Sequence, residues 1–400
     1  MRIGMLADGY LPHVSGITNH IVLSKDYFEK QGHEVFIFTF GDDDYEDDDE
    51  SVIRSPGLPL SNTGFYINVR YSLKAQRVLR TMDIVHVHHP FLSGRLALRY
   101  CKPRNIPVVF TNHTRYDLYA QAYVPALPEG ISETFLKTYL SSFGESCDLV
   151  IAPSPGVREV LRRFGVTERV EVVPNGVDLS PFCCETEPIE RSTFGFAEND
   201  ILLTYTGRLG PEKNLPFLLR AFAGIAKSFD NVNLLIVGGG PEYDNLVDRV
   251  NYMGITDRVH FTGLVSYADL PRYLVSADAF VTASVTEVHP LSVIEAQAAG
   301  LPVVGIQSPG VGDIIQDGVN GFLAQEEDLA IFTAKLVRLV TDQEGLQKMK
   351  GMAFDTAQEY SYERTSQLLL GHYQRLINVV PNRDRSVWQK LTVFIDDVIK

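Results

Sequence analysis

"AFVTASVTEVHPLSVIEAQAAGLPVVGI", residues 279–306, decides how this chain folds. A short apolar run leads through a polar loop into a segment rich in Ala, Leu and Ile, and a second apolar run follows Gly300 and Pro302. Strand, helix and strand in that order form a crossover unit, the connection that joins parallel strands. Pro290 suits the first helical position, where a missing N–H costs nothing, so a helix is expected to start near His289. The backbone N–H groups of Leu291, Ser292 and Val293 would then point out of its N-terminus, a setting that favours an anion such as phosphate.

Glu287 sits just before that turn and Glu295 inside the helix, so both can face one cleft. A carboxylate beside a phosphate is repulsive. The two roles are compatible if the glutamates bind neutral hydroxyls, as on a sugar, while cations elsewhere neutralise the phosphates. The stretch therefore points to a sugar nucleotide.

Outward from it the same rhythm continues. "ILLTYTG", "NLLIVGGG" and "RVHFTG" precede it, and "RIGMLA", "EVFIFTF", "DIVHVHH", "PVVFT" and "DLVIAPS" mark the first half, each followed by a turn or helical pattern. The reading is α/β with two doubly wound domains. A chain of 400 residues exceeds what one hydrophobic core usually serves. The join is placed near "PNGVDLSPF", residues 174–182, which gives domains 1–180 and 181–360, with a polar linker running to Asn199 as a hinge.

Composition narrows the function. A formal net charge of -14 argues against a general nucleic-acid binder. Cys101, Cys147, Cys183 and Cys184 lack metal-ligand spacing and read as buried thiols in a reducing compartment. No apolar h-region opens the chain and no run of about 18 apolar residues occurs in it, so a cytoplasmic protein is expected, neither secreted by a signal peptide nor membrane-spanning. The acidic run "DDDYEDDDE", residues 42–50, reads as a solvated loop and is assigned no metal. His86 and His88 of "HVHHP" alternate on a strand without a further spaced ligand, and they read as strand-end lining rather than a zinc site.

Ligands of open α/β sheets bind outside the carboxyl ends of the strands. One such loop, "TGRLGPEKN", residues 206–214, carries Arg208 and Lys213. Arg208 can give a fork of donors to two phosphate oxygens while Lys213 supplies a point charge. Two readings of this loop stand, a phosphate clamp and a surface loop with ordinary charges. A Rossmann oxidoreductase is the weaker class, because "DGYLPHVSG" and "VGGGPEYDN" both fail the dinucleotide fingerprint. A non-enzymatic scaffold would leave Arg208, Lys213, Glu287 and Glu295 replaceable.

Taken together, "GRLGPEKN", "NLLIVGGGP", "VHFTGLVSYADLPRYL", "TEVHPLSVIEAQAAGLPVVG" and "GVGDIIQDGVNGFL" resemble retaining glycosyltransferases of family 4 over nearly the whole chain. The resemblance implies a GT-B fold, two Rossmann-like domains facing across a cleft, with residues 361–400 as C-terminal helices returning to the first domain. It implies that Arg208 and Lys213 hold the donor diphosphate, Glu295 the nucleotide ribose, and Glu287 the transferred sugar. Leu291 and Ser292 match backbone amides at phosphate and sugar. Gly16 of "LPHVSGITNH" matches a loop glycine facing the phosphates, and His113 of "TNHTRY" a histidine near the sugar's hydroxymethyl group. Without that match His113 reads equally as a structural histidine. Two departures stand out: His289 and Pro290 replace an aromatic and a glycine, and Asp313 replaces a common glutamate.

The expected reaction is retaining hexosyl transfer from a nucleotide-sugar donor, UDP-glucose being favoured, with no cofactor and no essential metal. No lone nucleophile with an adjacent base stands out, in keeping with a front-face mechanism. "YLPHVSGITNHI" and "HHPFLSGRLAL" with "VFTNHTRYDLYAQAY" resemble the family's diacylglycerol glucosyltransferase branch, so a lipid acceptor is favoured over a soluble sugar or small molecule. A sugar-nucleotide epimerase of the same fold is the rival.

Tyr116, Tyr119 and Tyr123 either line an apolar acceptor groove or pack the core. Arg70, Lys74, Arg77 and then Arg80 read as a basic helical stripe with Leu73, Val78 and Leu79. Such a stripe is either a solvated face or a peripheral contact with anionic membrane. "ERTSQLLLGHYQRLI" is expected to make the crossing back, and Val387, Trp388, Leu391, Ile395 and Val398 form an amphipathic tail beyond it.

Overall fold

A computed structural model describes residues 1–380 apart from 43–44, 46, 61–64, 117, 119–128 and 183–185. The amphipathic tail, Cys183, Cys184, Tyr119 and Tyr123 lie outside the described residues.

The chain divides into two compact units. The first gathers Met1–His113, Gly130–Gly176 and the segment from Tyr362; the second gathers Thr114–Glu129 and Val177–Ser361. The division thus falls between Gly176 and Val177, inside the 174–182 stretch where sequence places the join and four residues before the 180/181 bound.

The first unit is a parallel sheet of β1 (Arg2–Leu6), β2 (Glu34–Gly41), β3 (Val52–Pro56), β6 (Ile84–Val87), β7 (Val108–Thr111), β8 (Leu149–Ala152) and β9 (Val170–Val172). Its order is β3-β2-β1-β6-β7-β8-β9. A separate antiparallel hairpin, β4 (Leu58–Pro59) and β5 (Tyr66–Ile67), lies between β3 and β6 in the chain. Ile3, Met5, Ile37, Ile84 and Val109 pack with Phe28 of the helix Gly16–Lys30 and Tyr373 of the helix Tyr362–Val379. The rings of Phe28 and Tyr373 meet at 5.6 Å. The C-terminal helix is therefore part of the first unit's core.

The second unit contains β10 (Ile201–Thr206), β11 (Val232–Val237), β12 (Val259–Gly263), β13 (Ala279–Val281), β14 (Val303–Ile306) and β15 (Gly321–Ala324). All pairings are parallel, in the order β12-β11-β10-β13-β14-β15. Neighbouring strand residues serve opposite faces: Leu203, Leu234 and Ile236 pack with Phe222 and Phe332, whereas Leu202, Leu235 and Phe280 pack with Ile294. Both faces are covered, which is why these strands read as unbroken apolar runs rather than as alternation. Strand order reverses between β10 and β13, and between β1 and β6, and such switch points open the crevices where ligands bind.

Candidate active site

At the second unit's switch point two loops meet, one after β10 and one after β13. Thr206 ends β10, and a short 3-10 turn, Pro211–Lys213, leads through Asn214 into the helix Leu215–Ala226. Asn214 takes a left-handed φ of 54°, and its side-chain amide donates to the Ala283 carbonyl at 3.4 Å and to Glu327 Oε1 at 2.9 Å. Ser284 and Thr286 hydroxyls donate to the Glu212 carbonyl at 3.4 and 3.2 Å. These contacts tie the two loops together and bring Lys213 Nζ to 2.6 Å from Glu287 Oε1. Both side chains keep some solvent access, 17% and 21%.

Two glycines allow the approach. A Cβ on Gly238, at φ 140°, would collide with the Gly207 carbonyl, so the loops after β10 and β11 touch only through bare backbone. Gly310, at φ 90°, lies under the Glu287 loop, and a Cβ there would stand 2.5 Å from Val288 C and 2.9 Å from Glu287 O. Asp313, the departure from the family's glutamate, accepts from the Gly310 N–H at 3.2 Å and holds this turn.

The helix runs Leu291–Ala298, with Pro290 as its extended N-cap rather than its first residue. This corrects the start expected at His289. The φ of −70° satisfies proline's ring in either position, but a ψ of 115° is not helical. Val293 is corrected too, since its N–H donates to the Pro290 carbonyl at 3.2 Å. Leu291 and Ser292 offer the outward N–H groups among the described residues. His289 is buried against Tyr360 at 5.0 Å between ring centres, and burial lowers its pKa to about 4. It fills the core beneath the loop.

Glu295 is buried one turn into the helix, and its Oε1 accepts from the Tyr267 hydroxyl at 2.8 Å. Burial lifts the carboxyl to about 7, although the tyrosine bond opposes the rise. Burial and the Glu295 charge in turn push the Tyr267 phenol upward. Sequence reading missed Tyr267, because the loop "TGLVSYADL" gives no sign that one hydroxyl reaches a glutamate on another element. Arg208 lies exposed on the same loop as Lys213, and its carbonyl accepts from the Tyr205 hydroxyl at 3.2 Å.

In the first unit, Gly16 is the exposed first residue of the helix Gly16–Lys30, capped by Ser15 Oγ accepting from the Thr18 N–H at 3.2 Å. His20 lies one turn further on, buried, and its ring approaches His113 at 5.0 Å and His88 at 5.5 Å. His113, just past β7, shares a hydrogen bond of 3.0 Å with His88. Nothing in the local sequence pairs His20 with these residues, since the three come from separate elements.

Two readings of the first half change. Tyr116 groups with the second unit rather than the first, because the contiguous first-unit stretch ends at His113. The basic residues do not form one helical stripe. Ser72 caps the helix Leu73–Leu79 with Oγ accepting from the Ala75 N–H, so Arg70 precedes the helix in an Asn68 turn. Lys74 and Arg77 are exposed on the helix, Arg80 is half-buried at its C-cap, and Leu79 is core.

Two Rossmann-like parallel sheets, each with its polar loops at the switch point, define the GT-B class. Family models described as Glycosyltransferase Family 4 and Glycosyl transferases group 1 match residues 14–181 and 186–355. An alpha-monoglucosyldiacylglycerol synthase of Streptococcus pneumoniae is 33% identical over 82% of this chain and 77% of its own length. The synthase of that name from Acholeplasma laidlawii is 30% identical over 82% of this chain and 86% of its own. Among solved structures, the Anabaena HepE protein in complex with UDP-glucose covers 94% of this chain and 100% of its own at 19% identity, with a TM-score of 0.74. The chain belongs to the family 4 glycosyltransferases and is a hexosyltransferase.

Proposed function

We propose that the protein transfers glucose from UDP-glucose to diacylglycerol or a related lipid, with retention, forming an α-glycoside. The observation that carries the reading is the Lys213–Glu287 pair at 2.6 Å, an ammonium and a carboxylate held on two loops at the second unit's switch point. The names of the two relatives support glucose and a diacylglycerol acceptor. The uridine base is this reading's own step.

Arg208 and Lys213 stabilise the diphosphate as it leaves, helped by the Leu291 and Ser292 amides, so the reaction is assigned no essential metal. The bond from the sugar's anomeric carbon to the diphosphate breaks while the bond to the acceptor oxygen forms on the same face. The acceptor's proton passes to the departing diphosphate oxygen. Glu287 supports the sugar, Glu295 the ribose hydroxyls, and Gly16 and His113 serve phosphate and sugar from the first unit. Tyr116 and Tyr119 contribute to acceptor binding.

Peripheral membrane attachment belongs to the same reading. Leu58, Val69 and Leu73 are 77%, 75% and 63% exposed, and they accompany the exposed cations Arg70, Lys74 and Arg77. Each cation near an anionic surface contributes about 1 kcal/mol. Neutralising Arg70, Lys74 and Arg77 to Gln should weaken binding to anionic vesicles on the order of 100-fold while leaving donor affinity intact. Unchanged vesicle binding, measured by sedimentation, would remove membrane attachment from the reading.

The deciding experiment incubates the protein with radiolabelled UDP-glucose and diacylglycerol vesicles containing anionic lipid. Label is expected in the organic phase and lost in Glu287→Ala. Aqueous label with UDP release would move the acceptor to a soluble molecule, and a changed donor sugar without acceptor would identify an epimerase.

A further inference from the structure

Three buried imidazoles, His20, His86 and His88, and the half-buried His113 gather at the sheet's carboxyl end in the first unit, and they are of two kinds. His86 is fully paired: Nε2 lies 2.7 Å from Thr111 Oγ1, and Nδ1 lies 2.5 Å from the Tyr373 hydroxyl. It is a structural residue of the floor. The other three turn to one another. His88 Nδ1 meets His113 Nε2 at 3.0 Å, while His88 Nε2 and His20 Nε2 are buried without a hydrogen-bond partner.

One ring nitrogen from each of His20, His88 and His113 lies within 4.8 Å of the other two. A neutral imidazole offers a metal the lone pair of one ring nitrogen. A buried polar atom left unpaired costs roughly 1–3 kcal/mol, and His20 Nε2, facing the His88–His113 pair, is such a nitrogen. The group contains no carboxylate, so hard, oxygen-seeking cations such as Mg²⁺ and Ca²⁺ find no ligand set in it. Imidazole nitrogens suit zinc, cobalt, nickel or copper instead.

We propose that His20, His88 and His113 form a binding site for one transition-metal ion of the Zn²⁺ type, with a fourth position left open. Tetrahedral zinc with nitrogens about 2.0–2.1 Å away spaces those nitrogens about 3.3 Å apart. The His88–His113 pair need open only slightly, and His20 closes onto it by side-chain rotation. An ion held here takes the ring of His113 out of use. Provided that the transfer reading above holds, the ion inhibits transfer rather than assisting it; the site itself does not depend on that reading.

The test uses the full chain without a polyhistidine tag, stripped with chelator and titrated with Zn²⁺ and with Co²⁺ alone. One ion per chain is expected by equilibrium dialysis, and Co²⁺ should show the visible bands of a four-coordinate site. His20→Ala and His88→Ala should each weaken binding more than about 100-fold, whereas His260→Ala, on β12, should not. Absence of a stoichiometric ion, or unchanged affinity in both variants, overturns the site. If those variants lose native circular dichroism, X-ray absorption of the zinc-loaded unmodified protein decides: three imidazole ligands support the site and fewer overturn it. Activity enters none of these readouts, so failure of the transfer reading leaves them unaffected.

Discussion

The two sheets reverse strand order at equivalent places, yet the loops there carry opposite chemistry. In the second unit a lysine and a glutamate meet at 2.6 Å with a fifth of each side chain still open to water. In the first, His20, His88 and His113 face one another, the first two buried and the third half-buried, and burial favours their neutral forms. Residual hydration sustains an ion pair, whereas its loss discharges a histidine. A common strand order therefore fixes where a ligand site lies, and solvent access at that place sets which charges survive in it.

The comparison breaks most easily at its charged end. Lys213→Ala should lower turnover at saturating donor by about 10²–10³-fold if the ammonium stabilises a leaving diphosphate. Wild-type turnover in steady-state assays would reduce the pair to a structural contact.

Glu295 sharpens it, being a carboxyl that is as buried as the imidazoles although it stands in the charged unit. Its folded pKa, about 7, lies above the unfolded value of 4.5, so the native state holds the extra proton between those pH values. Wild-type stability should then fall as pH rises from about 4.5 to 7, by on the order of 3 kcal/mol, and level off above. Glu295→Gln should lose that slope. Denaturant titrations at several pH values check this, and parallel curves for the two proteins would contradict the shift.

The smallest effect belongs to the neutral end. Tyr373→Phe strips His86 Nδ1 of its buried partner and should cost about 1–3 kcal/mol of unfolding free energy, with little change in donor affinity. A neutral result in chemical denaturation would show that the imidazole finds another partner.

The strands that carry the site were legible because burial on both faces writes them as apolar runs, and "ILLTYTG" and "AFVTAS" became β10 and β13. The short edge strands β3, β9 and β15 were not singled out, since three to five residues beside turns resemble loop. Arg208, Lys213, Glu287 and Glu295 could be found because each lies in a loop or helix next to a readable strand. Their mutual contacts could not. The Lys213–Glu287 and Tyr267–Glu295 bonds, and the meeting of His20 with His88 and His113, join residues far apart in the chain, and no local period records such pairs. The start of the helix at Leu291 was displaced because proline is accepted both at the cap and after it, and only ψ distinguishes the two.

The bond between Tyr373 and His86 also sets a schedule. About 200 residues separate the end of β9 from the tyrosine that completes the first unit's floor, and at about 5–20 residues per second synthesis takes roughly 10–40 s to span them. Throughout that interval the nascent chain holds every strand sequence of the first unit's sheet but lacks the helix that covers Phe28 and pairs His86. The second unit, whose described core is made entirely of residues before Tyr362, emerges complete while the first still waits. The half of the enzyme whose synthesis begins first is the half whose core residues are completed last.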